Sequence, residues 1–589
     1  MRKVTFPVSN FTISSFRFLA VWGLQVEQCI FTSDHLVNTP KAAILVRSKP
    51  RTMRKRSLST QALKTTDWMR YRPYTRFDLY DGYYLKQANA VFEYLNRPEL
   101  GFRQPFQREH LKILAILITC YFEDFVNDIG LWRALTRKYT ELHGYALPFY
   151  ELSEYDPEYL NPEDFAYLIW HQLSKISHKS ILPFSPAILE MADFCYAFFD
   201  ERLEDAPATP FYDDWLHIGP DIDFFELKSR LKWLAFENYL AGPEFVQELL
   251  TSLEEIAENS RFLLEEMDPG KLIYSLEDEY LYTRRSAFGA MTMPEWLAEI
   301  ARCPDELRSD IKRLNRRVYG IFLYEGYDDH HYHFRYSPTK RLFHIDRRSI
   351  DMEPESMEPG AESGFFGIVN WRGDWWLSGT YTGWSANPED EREMPGGVSF
   401  YGWSEAEQQR IRESTAEMEE SFLDYFGDRM MLFPNQTELF KALEDQQHAY
   451  NVQIAKKYGK KEPRKSKTDP AKTIPEDLGL GSGFKDLAIF FVPGEGQLIS
   501  PVIPELIRWL QADTPAPNKT NELFYSFFTE CHPALARFLV ERYSGKNLRF
   551  PFVDDPAFVE RYFGFFMRYF NPGDFRESIP QLSLVNQAQ

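Results

Sequence analysis

The chain is short of the features that mark small catalytic or metal-bearing modules. Its five cysteines, at 30, 120, 195, 303 and 531, leave no Cys-x-x-Cys pair. That excludes a structural zinc ribbon and a compact disulfide framework, and it fits a reducing cytoplasm. No apolar run approaches the roughly 20 residues a membrane span requires. The strongest, residues 111–122, contains Lys112. A possible signal core at 16–26 is interrupted by Arg17 and no small-residue cleavage site comes after it. Basic charge is also in deficit: 67 Lys and Arg face 87 Asp and Glu, a net charge of −20. A general affinity for nucleic acid or anionic membrane needs the opposite balance. Gly-x-Ser-x-Gly, His-Glu-x-x-His and Gly-Lys-Ser/Thr are absent, as is the Glu-x-x-His of di-metal bundles.

The chain's strengths are length and large side chains. Its 589 residues exceed one core, and 49 Phe, 33 Tyr and 13 Trp can fill several. Residues 1–66 carry eleven Lys or Arg against two acids and differ sharply from the acidic remainder of the chain. They read as a disordered basic arm, or as sequence preceding a true start near Met53. From 67 to 315 the apolar spacing is helical, over 81–96, 107–127, 131–143, 162–176, 185–203, 223–239, 243–267 and 294–314. Asn161-Pro162-Glu163-Asp164 starts one of these helices, with a capping residue, a first-turn proline and acids that suit the dipole.

The run Tyr121 to Tyr150, YFEDFVNDIGLWRALTRKYTELHGYALPFY, and the stretch Asn161 to Trp170, NPEDFAYLIW, resemble a family of uncharacterised bacterial proteins known only as a domain of unknown function. The likeness extends from about Trp68 towards the C-terminal region. It implies a cytosolic bacterial protein, and it carries over no activity, cofactor or catalytic residue.

Between 316 and 403 the period changes to two. Strands are expected at 319–324, 329–336, 341–345, 364–371 and 375–382, forming a small antiparallel barrel or curled sheet. Arg372-Gly373 suits a two-residue hairpin loop, which pairs Trp371 with Asp374, Val369 with Trp376 and Ile368 with Leu377. Gly367 and Gly379 would permit bulges. Residues 404–458 read as two capped helices forming an antiparallel pair, and 459–483 as a basic, Gly-rich linker. The stretch 484–589 reads as a C-terminal α+β domain with a strand at 486–492. The whole is an α+β multidomain chain.

This layout singles out a few candidate residues. Trp371, Asp374 and Trp376 share a mixed hairpin face, a platform for an extended peptide unless another element, such as the helix 405–426, covers it. Asp329, His331 and His333 alternate on one strand and could converge on a metal, although a strand with one polar face in water shows the same pattern. Glu123, Asp124 and Asp128 end an apolar helix, where carboxylates oppose the macrodipole. Arg133 and Arg137, with Lys138, lie close enough in sequence to answer them, making a structural ion network the first reading and a paired-carboxylate acid/base site the second. Gly479-Leu-Gly481-Ser-Gly483 precedes a strand and reads as a hinge, and Cys531 beside His532 as a core thiol. No cofactor is implied. The expectation is a soluble, cytoplasmic, non-enzymatic binding or adaptor protein meeting a protein partner through its β region. The alternatives are a metal-dependent hydrolase using Asp329, His331 and His333, or a nucleic-acid binder using the basic residues of 456–472.

Overall fold

A computed structural model describes residues 62–102, 106–177, 181–259, 269–351, 357–385, 399–462, 485–512, 517–543, 545, 547–550, 553, 555–575 and 581–585. The basic arm before residue 62, the hinge glycines 479–483 and the linker from 463 lie outside them. Of the linker's start, Lys456 faces Glu462 at 3.8 Å and Lys457 faces Glu417 at 2.6 Å.

The helical body begins with α1 (Thr65–Met69), α2 (Leu79–Leu95), α3 (Arg108–Val126), α4 (Leu131–His143) and α5 (Pro162–Ser177). It continues with α6 (Pro186–Asp200), α7 (Pro210–Leu216), α8 (Phe224–Phe236) and α9 (Gly242–Asn259). It closes with α10 (Pro269–Tyr282), α11 (Met293–Ile300) and α12 (Asp305–Arg313). Asp78 and Asp81 cap α2 reciprocally, each carboxylate taking the other's backbone N–H. Helix α5 is central, because every residue from Asp164 to Leu173 is buried. A helix covered on all sides needs neighbours on all sides, and α3 and α6 supply two of them. The single helix expected over 294–314 is two, broken at Ala301 to Pro304, where proline cannot continue the ladder.

The strands β1 (Val318–Tyr327), β2 (His331–Tyr336), β3 (Leu342–Asp346), β4 (Glu362–Trp371), β5 (Asp374–Leu377) and β6 (Thr382–Ser385) form one six-stranded sheet. It is mixed and not antiparallel throughout, since β3 and β5 pair parallel through Ile345 and Trp375. β1 bonds β2 on one edge and β4 on the other, so the pairings return to their start. The hairpin register is the expected one, and Arg372 and Gly373 both have positive φ, at 55° and 98°. The expected fifth strand is interrupted at Gly379, where a Cβ would lie 2.7 Å from the Asp278 carboxyl; at Gly367 one would lie 2.5 Å from Arg317. These glycines make room for a buried ion pair: Arg317 and Asp278 meet between the sheet and α10, with Ser378 Oγ donating to Asp278 at 2.8 Å.

After the sheet come α13 (Glu405–Phe426), β7 (Met430–Asn435), α14 (Gln436–Lys457), β8 (Lys485–Val492), β9 (Gly496–Ser500), α15 (Ile503–Gln511), α16 (Pro517–Glu530), α17 (Pro533–Tyr543), α18 (Pro556–Arg561), α19 (Phe563–Phe570) and β10 (Gln581–Val585). A second sheet runs β10-β9-β8-β7. Along β8, Leu487, Ile489 and Phe491 join a small core with Phe422 of α13 and Leu439 of α14. Ala488, Phe490 and Val492 turn the other way into the main core, as strand alternation requires.

That main core spans the helical body and the C-terminal helices together. Phe149 sits among Trp170, Phe558, Tyr562 and Phe565 with centroids 5.0–5.6 Å away. His171 Nδ1 meets the Tyr569 hydroxyl at 2.9 Å across 398 residues of sequence.

Candidate functional site

The expected hairpin platform is covered. Trp371 and Trp376 are each 4% exposed and belong to the main core. Phe224 of α8 stacks on Trp376 at 4.7 Å, with Phe225 edge-on at 6.0 Å. For Trp376 the covering element is therefore α8. The opposite hairpin face, with Phe366, Ile368 and Leu377, packs into the sheet's own core. Only the loop end is open: exposed Asp374 lies 3.7 Å from His331 Nε2.

The expected metal trio is not brought together as a set. Both imidazoles face Asp328, not Asp329: His331 Nδ1 is 3.6 Å and His333 Nε2 3.3 Å from its carboxylate. His333 Nδ1 is 2.8 Å from His344 Nδ1, so the rings hydrogen-bond each other across β2 and β3. Among the described residues, no group of three or more His, Cys, Asp or Glu is arranged to hold a metal ion. Cys531 is buried, which pushes its thiol up, while His532 Nε2 sits 3.3 Å from Glu495; they form no nucleophile and base pair.

The acidic end of α3 is where the chain makes a cleft. Asp128 (φ 50°) and Gly130 (φ 86°) turn the backbone directly into α4. Asp124 lies under that turn. Its Oδ1 accepts the N–H groups of Gly130 (2.7 Å) and Leu131 (3.1 Å), and its Oδ2 those of Trp132 (2.9 Å) and the Tyr239 hydroxyl (2.6 Å). The carboxylate that opposes one helix dipole therefore satisfies the start of the next. Glu123, its neighbour, pairs with buried Arg72 and not with Arg133. Burial is the larger influence and raises the Glu123 carboxyl, while Arg72 pulls it down. Asp128 does pair with Arg133, as expected, and also with Arg302 at 3.1 Å, whereas Arg137 pairs with Glu299 of α11. Lys138 turns to Glu141 at 3.0 Å. The ion network exists with partially different partners.

A second carboxylate missing from the expected set is Asp164, in the first turn of α5. It accepts from Trp132 Nε1 (2.7 Å) and the Tyr155 hydroxyl (2.9 Å) on Oδ1, and from the Tyr121 hydroxyl (2.7 Å) and Asn161 Nδ2 (3.2 Å) on Oδ2. Burial pushes it up to about 6 against those donors, and burial raises Asp124 as well. Among the described residues neither carboxylate has a cationic partner within ion-pair distance. Asn161 spends its side chain on the 156–161 loop and on Asp164.

Two cavities with a shared wall lie beside these groups. The outer is a cleft of about 780 Å³ along one face of α4, walled opposite by the 155–158 loop and by Glu299 to Arg302. Its rim carries Arg133, Arg137 and Arg302 against Asp128, Glu158 and Glu299, each engaged in an ion pair. The inner is a chamber of about 170 Å³ that shares Gly130, Arg133, Pro157 and Glu158 with the cleft and is backed by Asp124 and Asp164.

Residues 63–320 match the family described as "Protein of unknown function (DUF3843)". The resemblance seen over 121–170 thus lies within a DUF3843 match that ends early in the first sheet, short of the C-terminal region. Both walls of the cleft and the back of the chamber fall inside it. No curated protein and no solved structure matches the chain. Among the described residues no helix is long and apolar enough to cross a membrane.

The cleft partners of Arg302 and Glu299, Asp128 and Arg137, were out of reach of local sequence reading, because they lie over 160 positions away. Asp164 stood in plain view as a helix-starting acid, and only tertiary packing gives it the Tyr and Trp donors.

Proposed function

We propose that this is a non-enzymatic binding protein and that its ligand surface is the cleft along α4, taking a polypeptide segment of mixed charge. The observation that supports the reading is the charge composition of the cleft: three guanidinium groups and three carboxylates, joined in ion pairs, line a concavity of about 780 Å³. Arg137 is 61%, Glu158 67% and Asp128 60% exposed at the side chain. Surface ion pairs of this kind are worth roughly 0–1 kcal/mol each, so a ligand bearing both charges can exchange partners with them at small cost. Opposed charges in fixed order set orientation and discriminate against ligands of a single sign. The central sheet, with both indoles buried, offers less to a partner than this cleft does.

The test is fluorescence anisotropy with short labelled peptides of alternating Glu and Lys, of Glu alone and of Lys alone. Saturable binding of the mixed peptide, lost in Arg137→Glu with Arg302→Glu, is expected. No saturable binding of any peptide, or equal binding by the double variant, overturns the reading.

A further inference from the structure

We infer that the inner chamber behind Arg133 and Glu158 receives the cationic end of a side chain, a lysine ammonium or an arginine guanidinium, from the segment held in the cleft. This rests on the cleft being the ligand surface and adds which residue that ligand must carry.

The argument starts from charge. Asp124 and Asp164 are both about 98% buried or more and both wall the chamber. All eight of their hydrogen bonds come from neutral donors: backbone N–H groups, tyrosine hydroxyls, an indole and an amide. The N-termini of α4 and α5 offset about half an elementary charge each, which leaves the back of the chamber negative. Arg133 lines the mouth, and its guanidinium is turned to Asp128 and Glu158. The remaining walls are aromatic: Tyr121, Phe125, Trp132 and Tyr159. Negative charge behind π faces is the environment that attracts an organic cation on an alkyl stem.

Other occupants fit less well. An anion would meet two buried carboxylates. A metal ion needs free lone pairs, and each carboxylate oxygen already accepts two hydrogen bonds; an alkylammonium uses the field and the aromatic faces instead. A neutral apolar group would leave the charge unanswered. The volume of about 170 Å³ holds several water-sized groups, since one needs roughly 10–15 Å³, so a short stem and its head group can enter. Tyr159, 65% exposed at the opening, is placed to lie along the stem.

The probe is n-butylammonium, with n-butanol and butyrate as neutral and anionic counterparts. The readout is ¹⁹F NMR of protein carrying 5-fluorotryptophan, with the Trp132 resonance assigned through Trp132→Phe. Saturable perturbation of that resonance by n-butylammonium alone is expected, weakening as pH falls through about 6, where Asp164 takes up a proton. Asp164→Asn should weaken binding roughly tenfold or more. Because that variant also disturbs the packing of Trp132, a second one removes the lining cation: Arg133→Ala should tighten binding while keeping both carboxylates. Equal binding of n-butanol, or weaker binding in Arg133→Ala, overturns the inference. If n-butylammonium does not bind while mixed-charge peptides still do, the chamber assignment falls and the cleft reading stands. If the peptides fail too, both fall.

Discussion

Glu123 and Asp124 are adjacent in sequence, equally buried, and answered in opposite ways. Glu123 meets a full charge: Arg72 reaches it from the segment before α2, held there by the Trp68 face at 3.9 Å and the Tyr212 hydroxyl at 2.9 Å. Asp124 meets only dipoles. The first arrangement is local, because the guanidinium answers Glu123 directly and lies 4.0 Å from a second buried carboxylate, Asp81. The second fixes a helix start firmly yet keeps a net charge inside the protein, directed at a cavity. Burying a carboxylate beside a cation builds structure, whereas burying it beside neutral donors builds structure and leaves a field.

That contrast can be broken at its strongest point first. Arg72→Met should leave Glu123 buried and unpaired and cost roughly 3–5 kcal/mol in urea unfolding. Adding Glu123→Gln should recover much of the loss, and no recovery would mean that Arg72 acts by packing alone. Next, Asp124→Asn keeps the shape and removes the charge. With an amide facing donors at the start of α4, it should cost about 2 kcal/mol, and an unchanged urea midpoint would argue against the capping role.

The smallest effect is one of pH. Burial pushes Asp164 up to about 6 and Glu244, which accepts the N–H groups of Ala287 and Phe288, up to about 7. The folded state then holds protons that the unfolded chain releases. The resulting stabilisation is complete below the unfolded values and is lost as pH rises through about 6 for Asp164 and about 7 for Glu244. Moving from about pH 7.5 to about pH 6.5 should therefore raise stability by on the order of 1 kcal/mol from these two groups. Glu244→Gln should remove the larger part of that gain and Asp164→Asn the smaller, and the same pH response in both variants would assign it elsewhere.

Local signals were legible wherever neighbours in sequence decide the outcome. Ser404 with Glu407 opens α13 as a reciprocal cap, and the Arg372-Gly373 loop sets the hairpin register to the residue. Reading failed where the deciding partner is distant. β7 is six residues wedged between two helices, and its pairing with β8 lies about fifty positions on. Helix α10 falls in the gap between the expected helices 243–267 and 294–314. Gly367 and Gly379 looked like bulge formers, and only the position of Arg317 and Asp278 shows that they clear space for an ion pair. The indole of Trp376 carries no local mark of α8, so the helix that covers it, more than a hundred residues earlier, cannot be named from nearby sequence. The site divides the same way: Asp124 and Arg133 were on view, Asp164 was visible only as a helix-starting acid, and Glu299 and Arg302 were not singled out.

The contact of His171 with Tyr569 sets an order of events during synthesis. At roughly 5–20 residues per second, the ribosome needs on the order of tens of seconds after making α5 to deliver α19. Throughout that interval the aromatic surface around Phe149 and Trp170 has no native cover. The nascent chain must therefore be shielded, by its own provisional collapse or by a chaperone, until its last helices arrive.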